Sequence, residues 1–299
     1  IIFMYFTITA LAASVFIGVS LYGRLSGQMS SALQEENHIL INQLGRTMDS
    51  YLRLVMKLSD SLYYGVIKNA DLSDGSINGE ITLLYDNNKD NVENIALFSK
   101  EGELLESVPA ARLKNNAQVA DQDWFTAALE KTENLHFSMP HVQNLFQDGT
   151  YRYHRVISLS RSVDINDGDR PGSGVLLVDM KYSVVENVLK QINESSDGVY
   201  YYVCNRDGEL LYHPRRAEID RELFKENSLK AAGYEDGVYE ISSGDGKENV
   251  IVGSISYTGW KLIGVIPESV QTANINNFRY YIFTTIIILM MLLLEGNRL

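Results

Sequence analysis

The chain has 299 residues, of which 45% are hydrophobic and 21% are charged, and its formal net charge at pH 7 is −12. This length allows one large or two modest globular domains. The excess of acid argues against binding to nucleic acid or to anionic lipid, which carry charge of the same sign. Cys204 is the single cysteine, which excludes an intrachain disulfide.

Both ends of the chain are apolar enough to form membrane spans. Residues 1–22 contain no charged side chain, and neither do residues 280–294. A helix needs about 20 such residues to cross a bilayer. We predict one transmembrane helix over residues 1–23, and a helix over residues 268–299 that leads into a second, truncated span. Residues 10–12 also match the A-x-A pattern of a cleaved signal peptide, which is the alternative for the first span.

Two spans that bracket an acidic folded region are typical of a membrane receptor. We therefore predict a protein of the cell membrane whose sensor domain, between the two spans, is extracytoplasmic. An exported enzyme or a cell-wall binding protein tethered at both ends is the alternative from another class.

A long amphipathic helix is predicted to follow the first span. Between residues 25 and 67 the apolar residues recur mostly at spacings of three and four, which is the helix period. They are Met29, Leu33, Leu40, Leu44, Met48, Tyr51, Val55, Leu58, Leu62 and Val66. No proline interrupts the pattern, so residues 24–67 are assigned to a stalk helix of about 60 Å at 1.5 Å per residue. Its continuous apolar seam favours a homodimer, because we do not expect one small module to cover the seam fully.

Two segments of the chain resemble each other and predict a repeated module. Residues 98–109 read FSKEGELLESVP and residues 204–214 read CNRDGELLYHP, so an acidic-Gly-Glu-Leu-Leu sequence recurs after 106 residues. Each segment is typical of a β-hairpin and is followed by a polar helical stretch and then by two further strands. The predicted fold class is therefore α+β, with antiparallel sheets in two modules, residues 68–192 and 193–267, that a helix within residues 183–192 connects.

The sequence contains none of the short motifs that mark common catalytic sites. It lacks HExxH, GxSxG, a phosphate-binding Gly-rich loop and paired cysteines. Its five histidines are scattered, and the pair His141 and His154 has no third metal ligand fixed by spacing. We predict no catalytic site in this chain and no metal or other cofactor, so the chemistry to look for is recognition.

The segment from residue 121 to residue 159 combines aromatic with polar side chains, as ligand pockets do. Trp124 and Phe125 begin a helix-like run and serve either as core anchors or as the wall of a pocket. In the strand YRYHRVISL the period of two places Tyr153 and Arg155 on one face and His154 on the other. Either face is suited to line a pocket.

Asp179 is the second unusual residue. In GVLLVDM it shares a strand face with Val175 and Leu177, and an acid on an apolar face needs a partner. Arg155 of the neighbouring strand is one candidate, in a structural ion pair, and a hydroxyl or amine of a ligand is the other. The predicted ligand-binding residues are Trp124, Phe125, His141, Gln143, Tyr153, Arg155 and Asp179.

Six sequence segments together resemble a known family. They are DWF, FSMPHVQ, YRYHRVISLSR, GVLLVDM, DGELLYHP and YTGWKLIGVI, in this order between the two spans. The chain resembles the extracytoplasmic double Cache (dCache) sensor of YesM-like sensor histidine kinases. The resemblance implies a long N-terminal helix, a membrane-distal PAS-like module that binds a small-molecule ligand, a membrane-proximal PAS-like module, and a HAMP linker and kinase beyond residue 299. Related dCache domains belong to chemoreceptors and diguanylate cyclases, which are the alternative outputs.

The resemblance also bears on the ligand. The amino-acid-binding subgroup of dCache domains has the pattern Y-x4-R-x-W-[YF], then Y-x-D, then a strand Asp, and Trp124, Phe125 and Asp179 match it. The positions of its first tyrosine, its arginine, its second tyrosine and its first aspartate are occupied by Ala117, Gln122, His141 and Gln143. Glutamine cannot grip a carboxylate with a charged bidentate fork. We therefore expect a neutral solute such as a carbohydrate, with an amino acid as the alternative.

Overall fold

The fold is organised around one long helix. The computed structural model describes residues 2–72, 77–130, 135–147, 154–167, 170–243 and 246–296. Helix α1 (Ile2–Asp60) runs without a break from the apolar N-terminal segment into the folded region, and a turn of π-helix (Ser61–Val66) follows it. Among the described residues it is the one helix long and apolar enough to cross a membrane. The predicted long N-terminal helix is confirmed, although its regular α-helical part ends at Asp60.

The first of two antiparallel sheets, here called the distal sheet, has the strand order β2-β1-β6-β5-β3, and β4 also pairs with β5. Its strands are β1 (Val92–Ser99), β2 (Leu104–Val108), β3 (His136–Phe137), β4 (His141–Gln143), β5 (His154–Asp167) and β6 (Arg170–Lys181). Its helices are α2 (Ile77–Asp86), α3 (Asp123–Glu130) and α4 (Tyr182–Ser195). One face of the sheet packs with α1 in the main core, and the opposite face packs under α3.

The second sheet, here called the proximal sheet, has the order β8-β7-β11-β10-β9. Its strands are β7 (Tyr200–Cys204), β8 (Leu210–Tyr212), β9 (Gly237–Ser243), β10 (Gly246–Ser254) and β11 (Lys261–Ile266). Its helices are α5 (Arg216–Asp220), α6 (Ser228–Ala232) and α7 (Glu268–Gly296). The α+β class, with a long N-terminal helix and two antiparallel modules, is therefore confirmed.

The repeated sequence forms the same hairpin turn in both sheets. The Ser99 N–H donates to the Glu103 carbonyl at 2.8 Å, and in the second copy the Asn205 N–H donates to the Glu209 carbonyl at 2.9 Å. A glycine at the equivalent place has φ +88° in the first turn, at Gly102, and φ +78° in the second. Only glycine adopts such angles at no steric cost, which explains why the turn glycine recurs.

Helix α1 approaches the proximal sheet through two glycines. The side chain of Ile41 is buried, and a Cβ added at Gly253 would lie 2.6 Å from its Cγ2 atom. A Cβ added at Gly264 would lie 3.3 Å from the Cδ1 atom of the same isoleucine. The two glycines thus form a notch that accepts Ile41, which we call the glycine notch. Beside it the Tyr201 hydroxyl donates to the Asn37 side chain of α1.

The apolar seam of the stalk is covered by the chain itself. Its members from Leu44 to Val66 lie in the main core together with residues of both sheets. The reasoning that led from an uncovered seam to a homodimer therefore does not apply, and the homodimer stays a prediction.

The exit helix α7 is fixed to the proximal sheet at its first turns. The Gln271 amide donates to the Ile266 carbonyl at 3.1 Å and accepts from the Asn249 amide at 3.0 Å. The Lys247 N–H donates to the Glu268 carboxylate at 3.1 Å. Further along, α7 contains the apolar residues 280–294 of the predicted second span, which stays a prediction because several of their side chains lie outside the described part of the chain.

Candidate functional site

Asp179 lies at the centre of the distal sheet and is fully buried. It belongs to β6, where it pairs with Asn94 of β1 on one side and with Ser158 of β5 on the other. Its strand face carries Val175 and Leu177 and lies under α3, as the alternation of the sequence predicts. The side chain has 0% exposure. A carboxyl group is almost never fully buried without partners, so hydrogen-bond donors are expected around Asp179.

Three neutral donors hold the Asp179 carboxylate. The Ser158 hydroxyl donates to Oδ1. The Asn94 amide donates to Oδ2 at 2.8 Å, and the Gln143 amide donates to the same atom. Burial raises the pKa of Asp179, while these hydrogen bonds and the charge of His141 oppose the rise. The net effect is a raised pKa, because the hydrogen bonds recover only part of the hydration that the carboxylate loses.

His141 extends this network towards the surface. Its Nε2 atom lies 3.4 Å from the Ser158 hydroxyl, and its Nδ1 atom lies 3.1 Å from the Met139 carbonyl. Since the Ser158 hydroxyl donates its hydrogen to Asp179, its oxygen can accept a hydrogen bond from His141 Nε2. A hydrogen-bonded chain of His141, Ser158 and Asp179 therefore connects a half-buried imidazole with a buried carboxyl group.

Trp124 and Phe125 lie in the core between α3 and the distal sheet. Each is 2% exposed, and their rings lie 5.6 and 6.5 Å from the ring of Phe98. The Ser160 hydroxyl donates to the Trp124 carbonyl at 2.7 Å, which fixes the start of α3 on the sheet. The indole Nε1 atom is buried and has no hydrogen-bond partner among the described residues. An unsatisfied buried donor is costly, so this one is a candidate for contact with a ligand.

A small polar cavity lies beside the start of α3. Its volume is about 260 Å³, and Lys114, Gln122 and Leu145 are among the residues that line it. The Leu145 N–H donates to Gln143 Oε1 at 3.2 Å, and Gln143 in turn donates to Asp179. Gln143 thus connects the wall of this cavity with the buried carboxylate.

Comparison with known proteins identifies the family of this fold. The family model described as Cache domain (dCache_1) matches residues 25–275. The chain belongs to the Cache-domain family.

Solved structures share this Cache fold. The ligand-binding domain of the Pseudomonas aeruginosa amino acid chemoreceptor PctC, in complex with GABA, has a TM-score of 0.58 and 14% identity, and covers 79% of this chain and 100% of its own. The ligand-binding domain of the Pseudomonas fluorescens chemoreceptor CtaA, in complex with L-isoleucine, has a TM-score of 0.56 and 12% identity, and covers 83% of this chain and 97% of its own. At such identities the likeness shows the fold alone.

A curated relative has a longer chain. A probable methyl-accepting chemotaxis protein of Bacillus thuringiensis is 21% identical over 285 residues, which are 90% of this Cache chain and 39% of that protein. The dCache part of the predicted resemblance is therefore confirmed, whereas these comparisons give no support to the YesM-like kinase or to a carbohydrate ligand.

Arg155 does not join the other candidate residues of the Cache site. It lies on the face of β5 that carries Ile157, and its guanidinium carbon is 4.3 Å from the ring centroid of Tyr182. Burial raises the pKa of Tyr182 to about 12, and the positive charge of Arg155 opposes this rise. The Tyr182 hydroxyl donates to the Leu211 carbonyl of the proximal sheet. Arg155 therefore lies at the junction of the modules, and the ion pair with Asp179 that we considered is not formed.

Two residues of the network were missed by sequence reasoning, and one prediction falls outside the structure. Asn94 and Ser158 were not among the predicted site residues, although each is a polar residue within an apolar strand. Tyr153 lies outside the described residues. The structure thus brings Asp179, Gln143 and His141 together with Ser158, and Trp124 and Phe125 of α3 pack on the same side of the sheet.

Proposed function

We propose that this chain is the ligand-sensing region of a transmembrane chemoreceptor, and that its distal module binds a small solute that carries an amino group. The observation that carries this proposal is the fully buried Asp179 carboxylate, whose three hydrogen-bond donors are all neutral. A buried negative charge whose direct hydrogen-bond donors are neutral gains strongly from a cation in contact with it, because the charge of His141 acts only from beyond Ser158.

The amino group would take the place of Gln143 at the carboxylate. Gln143 is half-buried and reaches Asp179 from the short strand β4, so it is the donor between the carboxylate and the outer cavity. A ligand ammonium would supply a charged donor in exchange for a neutral one. Losing one partner of such a buried pair costs about 2–5 kcal/mol, so Asp179 should dominate the affinity.

Lys114 supports an amino acid as the ligand class. It lines the cavity beside α3 together with Gln122. The Gln122 side chain is occupied by a hydrogen bond to the Gln118 carbonyl at 3.1 Å. The positive charge that we found missing at Gln122 is therefore present nearby on Lys114, where it can attract the carboxylate of an amino acid as a point charge.

A neutral polyhydroxylated solute is the second candidate, with a histidine kinase as the output. Hydroxyl and amide groups of Ser158, Asn94 and Gln143 surround Asp179, and such groups suit ligand hydroxyls. The two candidates differ in charge, which an experiment can separate.

With either ligand, the signal would pass from the distal module to the membrane through helices α1 and α7. We propose that α1 and α7 both cross the membrane, that the Cache region is extracytoplasmic, and that the protein works as a homodimer. A ligand shifts the signalling equilibrium only by binding one state more tightly than the other.

The test is a thermal-shift titration of the full chain in phospholipid nanodiscs. The probes are L-alanine, ethanolamine, which lacks the carboxylate, lactate, which lacks the amino group, and glucose. A ligand at 100 times its Kd adds about 2.7 kcal/mol to the stability of the folded state, which is readily measured. We expect L-alanine to raise the melting temperature and lactate and glucose to leave it unchanged.

Variants assign the response to the site. Asp179→Asn should abolish the shift with L-alanine, and Lys114→Gln should weaken the response to L-alanine but not to ethanolamine. Glu80→Gln removes an exposed acid of α2 and is the matched control. A shift with glucose that Asp179→Asn abolishes would favour the second candidate. Equal shifts with lactate and L-alanine would refute the proposed role of Asp179.

A further inference from the structure

The proximal module contains a cavity of its own. Its volume is about 570 Å³, within the range of small-molecule sites. Strands β7, β9 and β10 form its floor, and residues 223–227, between α5 and α6, form its outer wall. This cavity is separate from the distal site, with which it shares no lining residue.

Aromatic rings form much of its wall. The rings of Tyr200 and Tyr202 stack with their centroids 6.5 Å apart. The rings of Tyr200 and Phe224 meet edge to face with their centroids 6.3 Å apart. One face of the Phe224 ring already holds a cation, since the guanidinium carbon of Arg215 lies 3.8 Å from its centroid. Aromatic faces attract cations through the negative charge above the ring.

Glu226 places a carboxylate at these rings. Its side chain is only 10% exposed. The Tyr200 hydroxyl donates to Oε2 at 2.9 Å, and the Asn227 N–H donates to Oε1 at 3.1 Å. His213 Nε2 lies 3.3 Å from Oε2, and its Nδ1 accepts from the Arg215 N–H at 3.0 Å. The imidazole therefore needs no positive charge, because the neutral tautomer with hydrogen on Nε2 satisfies both contacts.

The negative charge of Glu226 acts on the whole cavity. Burial raises the pKa of Tyr200 and Tyr202, and the charge of Glu226 raises both further. Glu248, which also lines the cavity, adds to the rise at Tyr200. Two positive charges oppose this field, since Lys225 also lines the cavity and the charge of Arg215 lowers the pKa of Tyr200. At the rings of Tyr200 and Tyr202 the effect of Glu226 is the larger one, and a negative charge beside aromatic faces favours cations.

The remaining hydrogen-bonding capacity of Glu226 narrows the class of cation. A carboxylate has about four lone-pair directions, and three are occupied by Tyr200, His213 and Asn227. At Glu226 itself a ligand would therefore meet negative charge but few free acceptors. Such a site favours a weakly hydrated cation that needs no hydrogen bonds over one with several N–H donors.

We infer that the proximal cavity is a second ligand site, which binds a small alkylated ammonium ion between the rings of Tyr200, Tyr202 and Phe224 and the carboxylate of Glu226. It is independent of the amine-binding role proposed for Asp179, so each can fail without the other. A Cache region with two sites would respond to two solutes through one exit helix.

Calorimetric titration of the full chain in nanodiscs with choline tests this inference. Tetramethylammonium is the second probe, and the carbon isostere of choline, in which an uncharged carbon replaces the quaternary nitrogen, is the neutral control. We expect saturable binding of both cations and at least about tenfold weaker binding of the isostere. Absence of choline binding, or equal binding of the isostere, would overturn the inference.

Variants locate the bound cation. Glu226→Gln keeps the acceptor for Asn227 and removes the charge, and we expect it to weaken choline binding at least about tenfold. Phe224→Leu keeps the charge of Glu226 and removes the ring, and it should likewise weaken choline binding. It replaces Glu226→Gln as the test if that variant does not fold. Glu222→Gln, at an exposed residue directly before this segment, is the matched control and should bind as the parent does. Choline binding that survives both cavity variants but is lost in Asp179→Asn would place the cation in the distal module and refute the second site.

Discussion

The glycine notch that joins α1 to the proximal sheet provides a quantitative test of the fold. Replacing Gly253 with alanine would place its Cβ 2.6 Å from Ile41 Cγ2, well inside van der Waals contact. Overpacking of this kind costs about 1–3 kcal/mol, and the smaller backbone entropy of the unfolded alanine variant offsets about 0.5 kcal/mol of that cost. We expect Gly253→Ala to lower the melting temperature, since 1 kcal/mol corresponds to about 2–4 °C in a domain of this size.

A double-mutant cycle separates this contact from other effects. Ile41→Ala alone should cost about 2–5 kcal/mol, because it leaves a cavity at a side chain that is 1% exposed. In the double variant the new Cβ at residue 253 enters space that Ile41 has left, so the combined loss should be smaller than the sum by about 1–3 kcal/mol.

The assay is thermal unfolding of the four proteins in the same detergent, followed by circular dichroism. Gly264→Ala is the comparison, because its Cβ would lie 3.3 Å from Ile41, and we expect a smaller loss and weaker coupling. Additive effects of Gly253→Ala and Ile41→Ala would refute the reasoning, since they would mean that the two residues do not share the notch.

Three further predictions concern single contacts. Asp60→Asn should lower the melting temperature more than Arg161→Met does. Asp60→Asn removes the 2.7 Å ion pair and leaves the charge of Arg161, which is 3% exposed, buried without it, whereas Arg161→Met leaves Asp60, which is 52% exposed and can be hydrated. The reverse order would contradict this reasoning. Gly208→Ala should lower the melting temperature more than Gly102→Ala does. Both glycines have a positive φ, but only at Gly208 would the added Cβ meet backbone closely, at 2.5 Å from Leu229 Cα. Equal losses would mean that the positive φ alone, and not this contact, sets the cost. Burial raises the pKa of Asp179 in the folded state, so protonation of this carboxyl group stabilises the fold. The stabilisation is fully present below the unfolded pKa of 3.8, and it is lost as the pH rises through the folded pKa. Asp179→Asn, which stays neutral, should therefore melt higher than the parent at neutral pH without ligand, and the difference should vanish near pH 4; a parallel pH profile would contradict the raised pKa.

Much of the fold could be predicted because its signals are local. The acidic-Gly-Glu-Leu-Leu segment predicts a hairpin in each module, and both hairpins form with the same turn. The period of the stalk predicts α1. Strands β3 and β4, with two and three residues, were not predicted because so few residues show no period.

The candidate site was harder to predict because it depends on strand register. The alternation within β6 gives the face of Asp179, and the alternation within β5 separates Arg155 from Ser158. Neither pattern tells which face of the sheet meets α1 and which meets α3. Asn94 is 85 residues from Asp179 in sequence, and only the pairing of β1 with β6 brings the two together. The role proposed for Lys114 depends likewise on a loop whose Lys114 N–H donates to the Leu145 carbonyl at 2.8 Å.

The attachment of α7 to the proximal sheet makes the exit helix a lever. Its first turns are hydrogen-bonded to β10 and β11 through Gln271, Asn249 and Glu268, so a change in the twist of these strands is transmitted to the start of the helix. Helix α7 has 29 residues. At 1.5 Å per residue its length is about 43 Å, so a tilt of about 5° at the sheet moves its far end by about 4 Å. A rearrangement in the sheet that is smaller than a bond length would therefore become a displacement of a helix end comparable with the width of a side chain.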